Sequence, residues 1–322
     1  MENAIQASSE VVRRYTALFV NRGAYTLQST RPHPESGRHY YFRPKAKGTA
    51  EELSLTAATI RRHLQGAITI GLYAINPATQ RSKWVAIDAD YPDAMEDLLK
   101  LQYSLQQDRV DAALEMSKRG GHLWIFMEQP ALARECRMYI CNLAFNLGMR
   151  IKGIGLAEGI EIFPRQDQLR EGEFGNAIRG PLGMHRGANR RYWFYGADYD
   201  MEKQIAYLRR LRKLREERLR TFIAGKAMPP ELERRRSIPS DEPFARTSGP
   251  EFRILDHVGK VRKVGRNYVT QCPSCAEARQ DRSGDNLAIS IENPRKYLCW
   301  AGCTREMIRR AVGCPIPVRH SA

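Results

Sequence analysis

The sequence predicts an α+β fold organised on a β-α-β-β-α-β order, and three observations between Trp84 and Phe163 predict it. Trp84–Pro92 (WVAIDADYP) is an apolar run closed by two aspartates, the pattern of a buried strand that ends at a functional edge. Leu114–Met127 (LEMSKRGGHLWIFM) is two apolar runs about a glycine pair, the pattern of a hairpin turning at Lys118–Gly121. Around them Pro92–Gln107 carries Met95, Leu98, Leu99 and Leu101 at helical spacing, Ala131–Leu147 reads as a second helix, and Gly159–Phe163 as a closing strand.

The preceding residues read as an N-terminal α/β subdomain, 1–80. Ala4–Val20 is a helix with Val11, Val12, Tyr15, Leu18 and Phe19 on one side. Gly23–Arg43 is strands around a polar turn at Arg31–Arg38, with His33, Arg38, His39 and Arg43 as solvated residues. Thr56–Leu64 is a helix capped by Thr56, with His63 structural. Ile68–Ile75 leads towards the acidic strand. Residues 81–200 form the central β-α-β-β-α-β region, which the resemblance given below makes a palm, 201–250 a basic helix and linker, and 251–322 a separate module. Met201–Lys226 reads as one helix, its Leu208, Leu211, Leu214 and Leu219 spaced among arginines; its charged face is either solvated or lines the path of a nucleic acid. Arg234–Pro250, rich in proline and arginine, reads as an exposed linker.

The palm stretch carries the chemistry. Alternation puts Asp88 and Asp90 on one face. Two carboxylates there repel unless a cation lies between them, and hard oxygen ligands suit Mg²⁺ or Mn²⁺. Glu161 supplies a third carboxylate if its strand lies beside theirs; Asp167 competes for that role. The hairpin offers Ser117, Lys118, Arg119, the Gly121 backbone and His122, a set suited to a polyphosphate. The bland alternatives are a strand running into a turn and a packed histidine, and the coincidence of both stretches favours the site. Trp124 and Phe126 read as core. Cys136 and Cys141, five apart on a helix, lie on different faces and pack rather than share a metal. Beyond the third strand come Arg165 and Gln166, then Arg179, His185, Arg186, Arg190 and Arg191 among Tyr192, Trp193 and Phe194, either a mixture suited to neutralising phosphates and stacking bases or a solvated loop followed by a core strand that takes some of these aromatics.

Composition agrees with a polyanionic partner. Lys+Arg 52 against Asp+Glu 36 gives +16, with a pI near 9.7. No 18-residue apolar run predicts a membrane span, and the start lacks a basic-then-apolar leader. The expectation is a cytoplasmic protein whose seven cysteines are thiols or metal ligands. Cys272, Cys275, Cys299 and Cys303, spaced as Cys-x₂-Cys and Cys-x₃-Cys, predict one structural, closed Zn²⁺ site. A rolling-circle nuclease needs a His-hydrophobic-His pair, and GHLWI offers only His122.

The ordered set of Asp-x-Asp at Asp88 and Asp90, the Ser117–His122 loop before an apolar strand, and an acid on a later strand resembles the archaeo-eukaryotic primase superfamily. More narrowly it resembles the primase-polymerases of mobile elements and defence systems, including the CRISPR-associated ones. GLYAIN (Gly71–Asn76), EIFPRQD (Glu161–Asp167) and FGNAIRGPLGMHRG (Phe174–Gly187) add to the likeness, which covers about the first two thirds of the chain. Many members carry Asp at the third acidic position, where this chain has Glu161. The resemblance implies an RRM-like βαββαβ palm beside an N-terminal α/β subdomain. It also implies two catalytic Mg²⁺ or Mn²⁺ ions on Asp88, Asp90 and Glu161, and a nucleotide held by Ser117, Lys118, Arg119, Gly121, His122, Arg165, Arg179 and His185. The implied activity is nucleotidyl transfer from NTP or dNTP on a single-stranded DNA template, with primer synthesis; the alternatives are an end-joining or gap-filling repair polymerase with the same core, or a non-catalytic zinc-containing single-stranded-DNA-binding protein. The implied partners are a helicase or CRISPR adaptation and defence proteins. GRNYVTQCPSC…YLCWAGCT resembles the zinc module of bacterial and phage primases, where it precedes the catalytic domain and a histidine stands in place of Cys275.

Overall fold

The computed structural model describes residues 6–32, 39–152, 158–229, 232, 252–279, 281 and 283–315. His33, Arg38 and the Arg234–Pro250 linker lie outside these residues. The chain divides into two units, 1–149 with 160–227, and 150–159 with 228–322.

The first unit opens with α1 (Ser9–Phe19). Its start is later than the apolar spacing suggests, because the Ser8 hydroxyl accepts from the Val11 N–H at 3.2 Å and caps the helix. Strands β1 (Tyr25–Gln28) and β2 (Tyr41–Phe42) follow, then α2 (Ala57–Leu64), capped by Thr56 as expected, and β3 (Ile70–Tyr73). The palm is β4 (Arg81–Ala89), α3 (Ala94–Gln107), β5 (Ala113–Met116), β6 (Gly121–Leu132), α4 (Ala133–Asn146) and β7 (Glu161–Phe163). These strands form an antiparallel sheet in the order β5-β6-β4-β7, the split βαβ topology that the sequence predicts.

Beyond the palm, β8 (Ala177–Arg179) returns to the N-terminal sheet, whose order is β2-β1-β3-β8. A short ribbon of β9 (Met184–His185) and β10 (Arg190–Arg191) follows. Trp84, Trp124, Phe126 and Phe163 from one face of the palm share a buried cluster with Phe19 of α1, the Trp124 ring 5.0 Å from Trp84 and 5.3 Å from Phe19. Stacking apolar side chains between the two sheets leaves only the polar end of that face open.

The basic stretch is two helices, α5 (Met201–Arg210) and α6 (Glu216–Ile223), not the single helix that its leucine spacing predicts. The reason lies in the sheet. β5 pairs with β6 only from Trp124 back to Gly121, so β6 has an unpaired edge beyond it. Leu214 fills that edge: its N–H donates to the Phe126 carbonyl at 2.8 Å, and its carbonyl accepts from the Glu128 N–H at 2.9 Å. Satisfying buried backbone groups outweighs continuing the helix.

The second unit holds β11 (Arg262–Val264), β12 (Asn267–Thr270), α7 (Pro273–Glu277), β13 (Leu287–Ser290), β14 (Tyr297–Cys299) and α8 (Arg305–Ala311). Its antiparallel sheet runs β11-β12-β13-β14, and its small core gathers Ile254, Leu287, Ile289 and Ile308 around four cysteines. Among the described residues no helix is long and apolar enough to cross a membrane.

Candidate active site and metal centre

Register alone assembles the site. Asp88 of β4 stands opposite His122 of β6 on one side and Glu161 of β7 on the other, and His122 stands opposite Glu115 of β5. Four polar side chains therefore form one row, Glu115–His122–Asp88–Glu161, across all four strands and on a single face. Asp90 follows just past the end of β4. Each acid of the predicted trio faces a cation: Asp90 pairs with Arg119, Glu161 with Arg165, and Asp88 Oδ1 lies 3.4 Å from His122 Nε2. Asp167 instead pairs with Arg137 of α4 at 3.0 Å, away from that row.

Glu115 escaped the sequence reading, although it anchors the row. Its side chain is fully buried, and three donors share its two oxygens: His122 Nδ1 at 2.7 Å, Trp124 Nε1 at 3.2 Å and Arg179 Nη2 at 2.8 Å. Burial would raise its carboxyl, but the Arg179 and His122 charges outweigh burial and hold it well below the usual range. Burial would likewise depress His122, but the Glu115 charge and the Asp88 contact lift it to about 9. His122 is thus an imidazolium at neutral pH, donating to Glu115 from one nitrogen and turned towards Asp88 with the other. An acid and a distant arginine that pair only through the fold leave no local signal beyond the unexpected Glu in an apolar strand.

The N-terminal sheet lines the opposite side. Arg179 lies on β8 beside Gly71 and Thr26, and Tyr41 at the sheet edge feels the charges of Arg179 and Asp88. His185 feels Arg179, Lys118 and Asp90; burial first, then Arg179, keeps its imidazole below the ordinary value. Lys118 Nζ donates to the Gly187 carbonyl at 3.4 Å, which ties the hairpin loop to the β9–β10 segment. The predicted loop, Arg179 and His185 therefore converge. In the basic-aromatic cluster after them Tyr192 and Phe194 are buried, as the core-strand alternative expects, with Arg190 over the Tyr192 ring at 5.1 Å, while Trp193 is half-buried.

The glycine pair has a reason different from the one its turn chemistry suggests. Neither residue takes a left-handed backbone. A Cβ on Gly120 would fall 2.1 Å from the Ala89 carbonyl oxygen, and one on Gly121 2.8 Å from the Glu115 carbonyl oxygen. The hairpin presses against the end of β4, which sets Arg119 beside Asp90. In that loop the Ser117 hydroxyl is buried with no hydrogen-bond partner among the described residues, at the place expected to meet a ligand.

Both implied metals fit the residues present. Asp88, Asp90 and Glu161 are hard oxygen donors whose charges are balanced by displaceable side chains, which suits Mg²⁺ or Mn²⁺. In the second unit Cys272, Cys275, Cys299 and Cys303 are buried free thiols with sulfurs mutually within 4.8 Å, the one such group of metal-ligating side chains among the described residues. Cys275 Sγ lies 3.3 Å from Cys303 Sγ and 3.6 Å from Cys299 Sγ. Those spacings are far beyond a disulfide and close to the roughly 3.8 Å sulfur–sulfur edge of a tetrahedron with zinc bonds of about 2.3 Å. Asp281 supports the first knuckle by accepting from the Cys272 and Asn286 N–H groups at 2.8 and 3.2 Å.

Comparison with known proteins gives the family. The profile described as the TOTE conflict system, Archaeo-Eukaryotic Primase domain matches residues 25–222, well over half of the chain. Among solved structures, the catalytic domain of primase RepB' in complex with initiator DNA is 13% identical, with a TM-score of 0.33 over 63% of this chain and 98% of that one. The polymerase domain of Mycobacterium tuberculosis Ligase D in complex with DNA is 11% identical, with a TM-score of 0.25 over 69% and 92%. No curated protein matches. The profile match spans both the N-terminal sheet and the acidic row, and the chain belongs to the archaeo-eukaryotic primase family as a nucleotidyltransferase.

Proposed function

We propose that this chain extends nucleic-acid strands from nucleoside triphosphates along a single-stranded DNA template and starts them without a primer. The observation that carries this reading is the register of the palm, which sets Asp88 between His122 and Glu161. Glu161, rather than Asp167, is the third acid, because it alone of the two stands in that row.

Asp88, Asp90 and Glu161 would hold two Mg²⁺ or Mn²⁺ ions. When bound, they would activate the 3′ hydroxyl and steady the triphosphate. With Asp88, Asp90 and Glu161 holding those ions, Arg119, Arg165 and His122 would lose their carboxylate partners. Those cations are then free for phosphate oxygens, so the site exchanges internal ion pairs for substrate contacts. Lys118 and the buried Ser117 hydroxyl join Arg119 on the triphosphate. His122, kept charged by Glu115, presents its Nε2–H to the same oxygens as negative charge grows there. The 3′ oxygen forms its bond to the α-phosphorus as pyrophosphate leaves. The cysteine module would hold template or the initiating nucleotide, a role taken from its likeness to primase zinc modules.

The test is synthesis on a single-stranded template with labelled dNTPs or NTPs, Mg²⁺ or Mn²⁺, and no primer. Products that begin with an unextended 5′ triphosphate support priming. Incorporation only when a primer is annealed would favour the gap-filling alternative. No incorporation under either condition would contradict the reading.

A further inference from the structure

The connector between α5 and α6 builds a feature that the catalytic row does not use. Its residues and the turn after α3 enclose a groove of about 450 Å³ lined by Arg109, Arg209, Arg212, Lys213, Arg215 and Arg218, against a single carboxylate, Glu128. A solvated basic helix would splay such side chains, but here the backbone beneath them is fixed. Leu214 is hydrogen-bonded into the edge of β6, and the Arg212 N–H donates to Asp111 at 2.7 Å. Arg218 donates to the Asp108 carbonyl at 2.5 Å, which holds one wall to the end of α3. Arg109 closes the rim from a left-handed backbone, φ 53°, a position where a helix usually ends in glycine. Among the described residues Arg109, Arg209, Lys213 and Arg215 have no side-chain hydrogen-bond or ion-pair partner, so four positive charges are concentrated in one concavity whose lining offers Glu128 as its carboxylate.

We propose that this groove binds the sugar-phosphate backbone of a nucleic-acid strand without reading its sequence. Three features favour a backbone over a nucleotide. The lining contains no aromatic ring on which a base could stack, only Val110, Leu211 and Leu214 among the cations. The charges are spread over several elements rather than converging on one point. The position also fits: Glu128 lies six residues along β6 from His122, about 20 Å at strand rise, or about six nucleotide steps of a duplex. A strand whose growing end meets Asp88 would reach the groove within the same complex. The identity of that strand rests on the nucleotidyl-transfer reading; the presence of an anion-binding groove does not.

The experiment uses the zinc-loaded full chain and a fluorescent 20-nucleotide oligo(dT), titrated without divalent metal or nucleotide over a range of salt. Arg209→Glu with Lys213→Glu is compared with Lys47→Glu with Arg62→Glu, which removes the same charge from exposed residues elsewhere. Matching melting curves establish that both variants fold. The groove pair should weaken binding at least tenfold at 0.1 M salt and flatten the salt slope by about 1.4, two phosphate contacts' worth. The control pair should shift affinity by less than threefold. Equal weakening by both pairs would reduce the effect to net charge and overturn the proposal, as would unchanged affinity in the groove pair. Saturable binding of dTTP alone, lost in the groove pair, would make this a nucleotide site and overturn it too. Failure of the wild type to incorporate nucleotides in a parallel assay would count against the catalytic reading and leave the groove's outcome standing.

Discussion

The palm row and the cysteine cluster both gather metal-ligating side chains, yet they balance their charge in opposite ways. In the palm row each acid has a protein cation: Arg119 for Asp90, Arg165 for Glu161, His122 for Asp88, and Arg179 with His122 for Glu115. That unit also buries two tryptophans and a continuous core between two sheets, so it is built to fold before any metal arrives. The cysteine module clusters four of its thiols with, among the described residues, no cation in hydrogen-bond contact with their sulfurs, and a core of a few aliphatic residues. Its cohesion must come from the ion. A site that exchanges metal and substrate needs displaceable internal partners; a site that only holds shape does not.

The contrast is sharpest on metal removal. Chelating zinc, or replacing Cys272 and Cys275 by Ala, should unfold the second unit, since structural zinc contributes about 10–16 kcal/mol of apparent folding free energy in small fingers. The first unit should keep its near-native melting transition, as calorimetry with two resolved transitions would report. Loss of both transitions together would erase the distinction. If the module serves initiation, the same variants should also lose unprimed synthesis more than primer extension.

Next in size is the catalytic effect. Asp88→Ala with Asp90→Ala should lower incorporation at least 10³-fold, about 4 kcal/mol in barrier, while oligonucleotide binding stays within a few-fold. Retained synthesis would remove the metal role from these acids.

Glu115 probes the internal ion pairs. Glu115→Ala strands Arg179 as a buried charge without its carboxylate and leaves His122 with Asp88 alone, and breaking such a buried pair costs about 3–5 kcal/mol. Glu115→Gln keeps the shape but should lose the charge on His122, raising KM for the triphosphate. A denaturation curve for the Ala variant that overlays the wild type would show that the network is not holding the row together.

The smallest expected effect lies in the N-terminal sheet, away from the acids. His63 is fully buried; its Nε2–H donates to the Pro181 carbonyl at 3.1 Å, and Nδ1 accepts from the Ile70 N–H at 3.3 Å. Burial first, then the Arg179 and Arg191 charges, lowers its imidazole to about 4. The unfolded chain takes up this proton near pH 6.5 and the folded chain only near pH 4. This site's stability contribution is therefore present above pH 6.5 and lost as pH falls to 4, by about 3 kcal/mol. Denaturant titrations at pH 7 and pH 4.5 should show that slope in the wild type and much less of it in His63→Gln.

Much of the site could be read from the sequence because its signals are local. Alternation puts Asp88 and Asp90 on one face, the hairpin sits between apolar runs, and cysteine spacing announces a zinc site. What stayed hidden depends on distant partners. Glu115 looks like an ordinary polar residue until Arg179 arrives on β8, 64 residues later. The break at Leu211–Arg215 runs against a regular leucine spacing and is imposed by the unpaired edge of β6. Gly120 looks like a turn glycine, and only the packed chain shows it accommodating Ala89. Which of Glu161 and Asp167 lies beside Asp88 was likewise open in the sequence, because strand register sets it.

That register is also the most direct point of attack. Primer-independent incorporation, measured in parallel for Glu161→Gln and Asp167→Asn with Mn²⁺ saturating, should fall at least 10³-fold in the first and stay within about threefold of wild type in the second. The opposite pattern, with Glu161→Gln active and Asp167→Asn dead, would mean that the row across β5, β6, β4 and β7 is not the catalytic centre.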